Sequence, residues 1–503
     1  MPLPADRLPV IVGVGEVVDR PDSPLQGMEP IAMMAEALRR AEQDAGAPLL
    51  AQCDALDVVR EISWPYLDAP GLLAWHLSLP QGARRYSEDG GETPVRYLHE
   101  AALRIQRGEA GVVAIAGAEA AHTTAAAWKA GVQLPWPHRD PKATIPTGRE
   151  LVSATAINHG VIQPAQVYPF FENAFVAAAE QTPAEGIADS AALWSAFSTV
   201  AAQQPGAWST DALSPEAVGT ASDRNRWVAW PYTKRMVANP MVNQGAALIV
   251  TNLARARELG VPEAQCIHIW GGAYAREPRD YLERDLYTRS TAMDAVLESL
   301  LQRLGGDPAV LQALELYSCF PCVPKMARKT LKLPADTALT VTGGMNTFGA
   351  PLNNYMTHAA VAMVRRLREG TEAPGLLYGQ GEYVTKHHGV VLARVADAED
   401  RFAGANASVQ AEADLHRGAV PVQVDDYEGA ATLETFTVIF GRDQQPEFGT
   451  VIARTPDGRR LMARVPAQDA NAMQRLLSLT ESPVGLSGRV GRLDDKRLSW
   501  TFA

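Results

Sequence analysis

The sequence predicts a duplicated α/β domain followed by a small β-rich domain. Strand-like apolar runs alternate with helix-like segments over residues 8–395, which is typical of a parallel α/β sheet. The same order of elements occurs twice in that range. After about Val395 the pattern changes to the apolar–polar alternation of strands. A chain of 503 residues is also too long for a single hydrophobic core.

The first copy begins with the apolar run 10–15, which predicts a buried strand. The next segment has Pro30 in its first turn and Ile31, Met34 and Leu38 at helical spacing, and Gly46 ends it. The remaining elements are a strand over 55–59, a helix that starts after Gly90-Gly91 and ends at Gly108, and a strand over 112–117.

The second copy repeats this order with a strand over 267–272, a helix ending at Gly305, a strand over 313–317 and a helix from about 355 to 370. The glycine landmarks recur at offsets of 253 to 262 residues, in the pairs Gly46/Gly305, Gly91/Gly344 and Gly108/Gly370. This period is far too long for a solenoid and indicates a duplicated domain.

A long insertion separates the copies and is rich in Trp, Pro and His. Insertions of this length in a compact α/β core usually carry function. Alternating Phe436, Val438 and Phe440 predict a barrel-like β domain near the C-terminus, and its OB-like character is a hypothesis. We therefore expect four parts. They are an N-terminal half over 1–240, with the insertion at about 120–240, a C-terminal half over 241–396, a polar linker over 397–417 and a β domain over 418–503.

The composition excludes several classes of protein. With 47% apolar and 20% charged residues the chain is not largely disordered. The 57 acidic against 46 basic residues give a net charge of −11, which argues against a nucleic-acid partner. No apolar run of 18 residues occurs and the first residues lack a signal-peptide pattern, so we expect a cytoplasmic protein without a membrane partner.

The duplicated unit with a long loop between its halves resembles the thiolase superfamily. The supporting stretches are 11–15, 105–109, 117–120, 243–247 and 343–351. The sequence is most similar to sterol-carrier-type thiolases, and within them to thiolase-like proteins with an additional C-terminal domain. The resemblance implies a five-layered αβαβα core, a homodimer or homotetramer, and CoA or acyl-CoA as a ligand, with no tightly bound cofactor.

The departures from the family pattern concern catalysis. Thiolases attack the thioester with a cysteine at the start of the helix that here ends at Gly108, and that position is Gly91. The family's Gly-His-Pro reads Gly-Ala-Pro at 349–351, and the second catalytic cysteine is absent from 377–381. We therefore do not expect thiolysis through a cysteine acyl-enzyme.

Tyr317 and Cys319 are the first two candidate catalytic residues. Cys319 matches the cysteine of the family's His-Asp-Cys-Phe motif, and Tyr317 replaces the histidine. A phenol is a poor base at neutral pH but a good hydrogen-bond donor to an enolate or alkoxide. Some cysteine-free thiolase-fold lyases, which cleave β-hydroxyacyl-CoA and pair with a small OB-fold protein, resemble this arrangement. The alternatives are a core tyrosine and a structural or redox-active thiol, since Cys322 completes a C-x-x-C spacing.

Two further candidates are Asn353 and His388. Asn353 stands at a helix start, where it either caps the helix or holds the thioester oxygen. His387 and His388 are adjacent in a predicted strand, so at most one of them faces the pocket. His99 is expected to be structural, and we find no second ligand pair that would make a metal site with the cysteines.

For the phosphates and adenine of CoA, the candidates are Trp230, Lys234 and Arg235, with a solvated charged loop as the alternative. A dinucleotide fingerprint at Gly13-Val14-Gly15 is rejected because position 18 is Val. The sequence thus predicts an acyl-CoA-binding transferase or lyase of lipid metabolism, in the acetyl-CoA acetyltransferase family, that works through an enolate and carbon–carbon bond chemistry. The alternative is a non-catalytic acyl-CoA-binding or scaffolding protein.

Overall fold

The computed structural model describes residues 3–402, 404 and 406–503. Its strands, in chain order, are β1 (Pro9–Val18), β2 (Ala55–Val58), β3 (Ala83–Tyr86), β4 (Val112–Ala120), β5 (Trp227–Trp230), β6 (Tyr232–Thr233), β7 (Asn243–Asn252), β8 (Ile267–Arg276), β9 (Ala313–Leu316), β10 (Gly375–Gly381), β11 (Lys386–Ala393), β12 (Gly429–Phe440), β13 (Pro446–Arg454), β14 (Arg460–Pro466), β15 (Ser487–Asp494) and β16 (Arg497–Phe502).

The α-helices, in the same order, are α1 (Pro30–Ala45), α2 (Ala69–His76), α3 (Thr93–Arg107), α4 (Ala121–Ala130), α5 (Ala154–Asn158), α6 (Pro164–Ala178), α7 (Pro183–Ala201), α8 (Pro215–Gly219), α9 (Leu253–Glu258), α10 (Thr291–Arg303), α11 (Cys322–Thr330), α12 (Tyr355–Glu369), α13 (Gln410–His416) and α14 (Ala470–Leu476). Gly46 and Gly108 end α1 and α3 with φ of +67° and +71°, as their landmark positions predict.

The duplication is visible in the strand pairing. In the first half β1 is antiparallel to β7, β7 to β4, and β4 is parallel to β2. In the second half β8, β11, β10 and β9 follow the same antiparallel, antiparallel and parallel sequence. A short antiparallel pairing of β1 with β8, at Val10–His268 and Ile11–Ile267, joins the halves into one nine-stranded sheet in the order β3-β2-β4-β7-β1-β8-β11-β10-β9.

The helices complete a five-layered αβαβα core, as expected. Helix α1 packs on β1, β7 and β4, and α10 packs on β8 and β11. Helices α3 and α12 contact each other and strands of both halves, so they form the central layer. Gly13 and Gly15 of β1 serve this packing, because a Cβ at either position would overlap a carbonyl oxygen of α1.

The C-terminal strands close into a small barrel. Strands β12 to β16 pair in the order β12-β13-β14-β16-β15-β12, with β14 parallel to β16 and α14 between β14 and β15 in the chain. A five-stranded Greek-key barrel of this kind is OB-like. The segment expected to be a plain linker contains α13, which packs against α10.

The insertion contributes to both parts of the protein. It contains helices α4 to α8, and its strand β5 pairs with barrel strand β12, Ala229 opposite Ile439. Arg460, fully buried in β14, donates to the carbonyl oxygens of Leu282 and Arg284 and pairs with Glu434. The barrel is therefore tied to the core by a buried, hydrogen-bonded guanidinium as well as by strand pairing.

Candidate active site

Helix α3 begins where the family's nucleophile would stand. Gly90, Gly91 and Glu92 precede its first residue, Thr93. A Cβ built on Gly91 would overlap the Tyr317 hydroxyl, and it would lie 2.6 Å from the carbonyl oxygen of Gln380. The hydroxyl of Tyr317 thus occupies the space that a side chain at position 91 would need.

Tyr317 is held there by the end of β9. Its backbone N–H donates to the carbonyl oxygen of Tyr378 at 3.0 Å, and its ring lies edge-on to Tyr355 with centroids 6.2 Å apart. The residue is 7% exposed. Burial raises the pKa of its phenol well above the usual value, so the hydroxyl stays protonated and acts as a hydrogen-bond donor.

Cys319 lies beside this hydroxyl in a small polar cluster. Its Sγ is 3.7 Å from Oε1 of Gln380, which also accepts from the Tyr168 hydroxyl at 3.0 Å. The amide nitrogen of Gln380 donates to two backbone carbonyls of its own loop. Burial raises the pKa of the Cys319 thiol to about 12, so the thiol is uncharged at neutral pH. Cys319 is therefore placed as a weak donor, not as a thiolate.

Asn353 neither caps α12 nor has an amide hydrogen left for a ligand. Its Oδ1 accepts from the backbone N–H of Gly90 at 3.0 Å. Its Nδ2 donates to the carbonyl oxygen of Arg60 at 3.0 Å and to Oδ1 of Asp89 at 3.1 Å. A primary amide has two hydrogens, and both are used here. Asn353 instead links the Gly90 loop to the start of α12 by hydrogen bonds, which corrects both predicted roles.

His388 lies in the core beside the second turn of α3. Its Nε2 is 2.9 Å from Nδ1 of His99, and its ring stacks on Tyr274. Burial lowers the pKa of His388 well below its usual value and that of His99 to about 4, so both rings are neutral. Among the described residues, the side chain of His388 contacts His99 and Tyr274, away from Tyr317 and Cys319 in the hydrogen-bond network. His387 faces the opposite side, where its Nδ1 is 2.6 Å from the Tyr378 hydroxyl.

The three residues expected to bind CoA do not form one binding site. Trp230 is 4% exposed and belongs to the apolar core of the barrel, so its ring is not free to stack on an adenine. The guanidinium of Arg235 donates to the carbonyl oxygen of Ala217 at 2.8 Å. Lys234 is exposed. The structure therefore corrects the role of Trp230. Of the two cations, Lys234 is the more exposed.

Glu92 is a candidate that the sequence reasoning missed. Its side chain is buried against Gly90 and Gly381, and its Oε2 has no hydrogen-bond partner among the described residues. Burial raises its pKa, and the Lys386 ammonium opposes that rise. The signal was an acidic residue directly after a glycine pair at a helix start. The Thr93 N–H donates to the Gly90 carbonyl oxygen at 3.1 Å.

Two findings concern metal ions and membranes. The described residues include no group of three or more His, Cys, Asp or Glu side chains arranged to hold a metal ion. None of the helices in the described part of the chain has both the length and the apolar character needed to cross a bilayer.

Comparison with known proteins finds a matching C-terminal domain and a similar full-length structure. Residues 408–496 match the model of the thiolase-like protein type 1 additional C-terminal domain. The chain is similar to the crystal structure of a monomeric SCP2-thiolase-like protein type 1 from Mycobacterium smegmatis, with 27% identity, 99% coverage of each chain and a TM-score of 0.82. No curated protein gives a significant match.

Two more distant structures share the fold of the thiolase part. The Ltp2-ChsH2(DUF35) aldolase is 20% identical over 79% of this chain and 99% of that chain, with a TM-score of 0.59. The Acat5 thiolase from Ascaris suum, solved in complex with coenzyme A, is 14% identical over 77% and 100% of the two chains, with a TM-score of 0.54. The full-length similarity to a thiolase-like protein type 1 and the matching C-terminal domain support a thiolase-like protein of the thiolase superfamily with the additional C-terminal domain.

Proposed function

We propose that this protein binds an acyl-CoA and makes or breaks a carbon–carbon bond beside the thioester, without an acyl-cysteine intermediate. The observation that carries the proposal is the place of the Tyr317 hydroxyl, at the start of α3, in the space of the missing nucleophile. A hydrogen-bond donor at that point faces the position where a thioester would otherwise be attacked.

The chemistry that suits this arrangement is cleavage of a β-hydroxyacyl-CoA. Breaking its Cα–Cβ bond leaves the electron pair on the thioester as an enolate, whose oxygen needs a donor in a water-poor site. The Tyr317 hydroxyl and the positive end of the α3 dipole would stabilise that charge. The Cys319 thiol, uncharged at neutral pH, is a second donor. The aldolase among the similar folds supports this class of reaction.

A non-catalytic acyl-CoA-binding or scaffolding protein is the second candidate. It is favoured by the burial of Tyr317, which leaves 7% of the residue exposed, and by the aromatic rings of Tyr168 and Phe320, stacked with centroids 4.4 Å apart beside the cluster. In this case the Tyr317 hydroxyl only fills the position of the missing nucleophile, and the protein catalyses no reaction.

Several finer points belong to the same proposal. Lys234 would meet a CoA phosphate at the surface, because it is the exposed cation of its loop. A cytoplasmic location and a place in lipid metabolism accompany an acyl-CoA ligand. A homodimer or homotetramer is the expected assembly, although the Mycobacterium smegmatis protein is described as monomeric. Light scattering of the purified protein at several concentrations measures this directly.

The test is a cleavage assay with a panel of β-hydroxyacyl-CoA esters, in which the released acyl-CoA is measured by mass spectrometry. We expect Tyr317→Phe to lower kcat by about 10²-fold, because one oxyanion donor contributes on that order. The matched control is Tyr427→Phe, whose hydroxyl donates to the Ala430 carbonyl in the barrel. Equal turnover in Tyr317→Phe and wild type would overturn the role of Tyr317, and an acyl adduct on Cys319 in denatured samples would overturn the cysteine-free route.

A further inference from the structure

We propose that the carboxylate of Glu92 is the proton acceptor and donor of this site. The assignment rests on the proposed function and adds to it the group that moves the proton. Tyr317 is always protonated at neutral pH and Cys319 is an uncharged thiol, so neither can take a proton from a ligand in the first step. The chemistry requires a base, and Glu92 is the carboxylate next to both Gly91 and Tyr317.

The geometry places Glu92 next to the position of the lost nucleophile. It follows Gly91 directly and stands at the N-cap position of α3 without making a side-chain cap. The carboxylate folds back so that a Cβ on Gly381 would overlap its Oε2, and a Cβ on Gly90 would lie 2.7 Å from its Oε1. Two glycines, at 90 and 381, therefore flank it, and a larger residue at either position would take the space that the carboxylate uses.

The partners of Glu92 distinguish it from two other buried glutamates. Glu315 accepts from Thr340, Val341, Thr342 and Tyr355, and Glu172 from Lys325, Ser190 and Tyr232. Glu61 is buried and also has an unpaired Oε2 among the described residues, so the place of Glu92 beside Gly91 and Tyr317 is what singles it out. Glu92 is 5% exposed, yet its Oε2 has no hydrogen-bond partner within the described residues. An unpaired buried carboxylate oxygen destabilises the fold, which is typical of a group kept for chemistry.

Charged groups around Glu92 shift its pKa in opposite directions. Lys386 and Arg96 favour its charged form, and Glu382 opposes it. The Lys386 ammonium is already bound to the Asp89 carbonyl oxygen at 2.8 Å and to Glu382 at 3.2 Å, so it does not neutralise Glu92 by a direct ion pair. Burial nevertheless has the larger effect and raises the pKa of Glu92, which suits a group that must both take and return a proton.

The step balances without any other reactant. The Glu92 carboxylate takes the proton of the β-hydroxyl group, the Cα–Cβ bond breaks, and the alkoxide becomes the carbonyl of the departing aldehyde or ketone. The electron pair of the broken bond forms the enolate, whose oxygen accepts from Tyr317. The Glu92 carboxyl then returns its proton to Cα, which gives the shorter acyl-CoA and restores the carboxylate.

The experiment follows exchange of the α-protons of acetyl-CoA with D₂O by mass spectrometry, because exchange needs the base and the enolate but no bond cleavage. We expect wild type to exchange, Glu92→Gln to lose at least about 10²-fold in rate, and Glu92→Asp to keep part of it. The wild-type rate should fall in acid with a midpoint above the ordinary glutamate pKa. The matched control is Glu109→Gln, an exposed carboxylate just beyond the end of α3.

The outcomes separate the two proposals. Exchange at the same rate in Glu92→Gln and wild type would overturn the role of Glu92 and leave the proposed function standing. If neither wild type nor Glu92→Gln exchanges the α-protons while acetyl-CoA is bound, both the role of Glu92 and the proposed function are overturned. Thermal unfolding at pH 7 gives an independent readout: Glu92→Gln should raise Tm, because it removes an unpaired buried charge, and a lowered Tm would make Glu92 a structural residue.

Discussion

The hydroxyl of Tyr317 and the missing side chain of Gly91 occupy the same space. A Cβ on Gly91 would overlap Oη of Tyr317 and lie 2.6 Å from its Cζ. The thiolase pattern has a cysteine at the position of Gly91 and a histidine at the position of Tyr317. These two departures are therefore sterically coupled. A cysteine at position 91 and a tyrosine at position 317 in this conformation exclude each other.

This exclusion predicts that Gly91→Cys will not restore a thiolase. The new side chain must displace Tyr317, and overpacking of this kind lowers the free energy of unfolding by about 1–3 kcal/mol. Replacing Tyr317 by Ala in the same chain removes the overlap with the hydroxyl and leaves only the close approach to the Gln380 carbonyl oxygen, so the double variant should be more stable than the sum of the two single effects. Denaturant unfolding of the four proteins gives the coupling. Strictly additive effects would show that the two residues do not share this space.

The cysteines of the native protein should react slowly with alkylating reagents at neutral pH. Burial raises the pKa of Cys53 and Cys266 to about 11 and of Cys319 to about 12, and that of Cys322 well above its usual value. The reactive species is the thiolate, so the rate should increase with pH and all four thiols should react once the chain is unfolded. Iodoacetamide labelling followed by mass spectrometry measures this. Rapid labelling of Cys319 at pH 7 would contradict the account of the site.

The His99–His388 pair should make stability depend on pH. Folding lowers both pKa values, so below about pH 6.5 the unfolded chain binds protons that the folded protein does not. Stability from each imidazole is therefore complete above pH 6.5 and decreases on acidification by up to about 1.4 kcal/mol per pH unit. His388→Gln should flatten the loss of unfolding free energy between pH 7 and pH 5. An unchanged slope in this variant would mean that His388 is protonated in the folded state.

The stability of the insertion in the folded protein should depend on one buried ion pair. Nζ of Lys325 in α11 is 2.6 Å from Oε1 of Glu172 in α6 and 2.7 Å from Oγ of Ser190 in α7. The lysine side chain is 3% exposed and the glutamate is fully buried. Lys325→Met leaves that carboxylate unpaired and should destabilise the protein by about 3–5 kcal/mol in urea unfolding. A double Lys325→Met, Glu172→Leu variant should recover much of this loss, and a single-variant effect below about 1 kcal/mol would contradict the pairing.

The duplicated fold was predictable because its signals are local. Gly46 and Gly108 mark helix ends through positive φ angles, and apolar periodicity places the helices and strands between such landmarks. The pairing of insertion strand β5 with barrel strand β12 was not predictable, since residues about 200 positions apart carry no shared sequence signal. Trp230 was assigned to a ligand for the same reason: its burial depends on that distant strand.

The site was predictable by position and only partly by role. The resemblance indicated Gly91, Tyr317 and Cys319 together, and the structure brings these three residues to the start of α3. The roles of Asn353 and His388 depend on which partner each side chain reaches, which the sequence does not encode locally. Glu92 was missed because its importance lies in the absence of a partner for Oε2 among the described residues.

The central claim, that an acyl-CoA binds at the start of α3 beside Tyr317, is tested most directly by calorimetric titration with acetyl-CoA, with CoA alone as the comparison. We expect wild type to bind acetyl-CoA with a Kd on the order of micromolar, about 8 kcal/mol of binding free energy, and Tyr317→Phe to bind it more weakly. CoA alone should bind equally to both proteins, because it lacks the thioester oxygen that we propose Tyr317 to contact. No binding at millimolar acetyl-CoA, or equal binding by wild type and Tyr317→Phe, would contradict the claim.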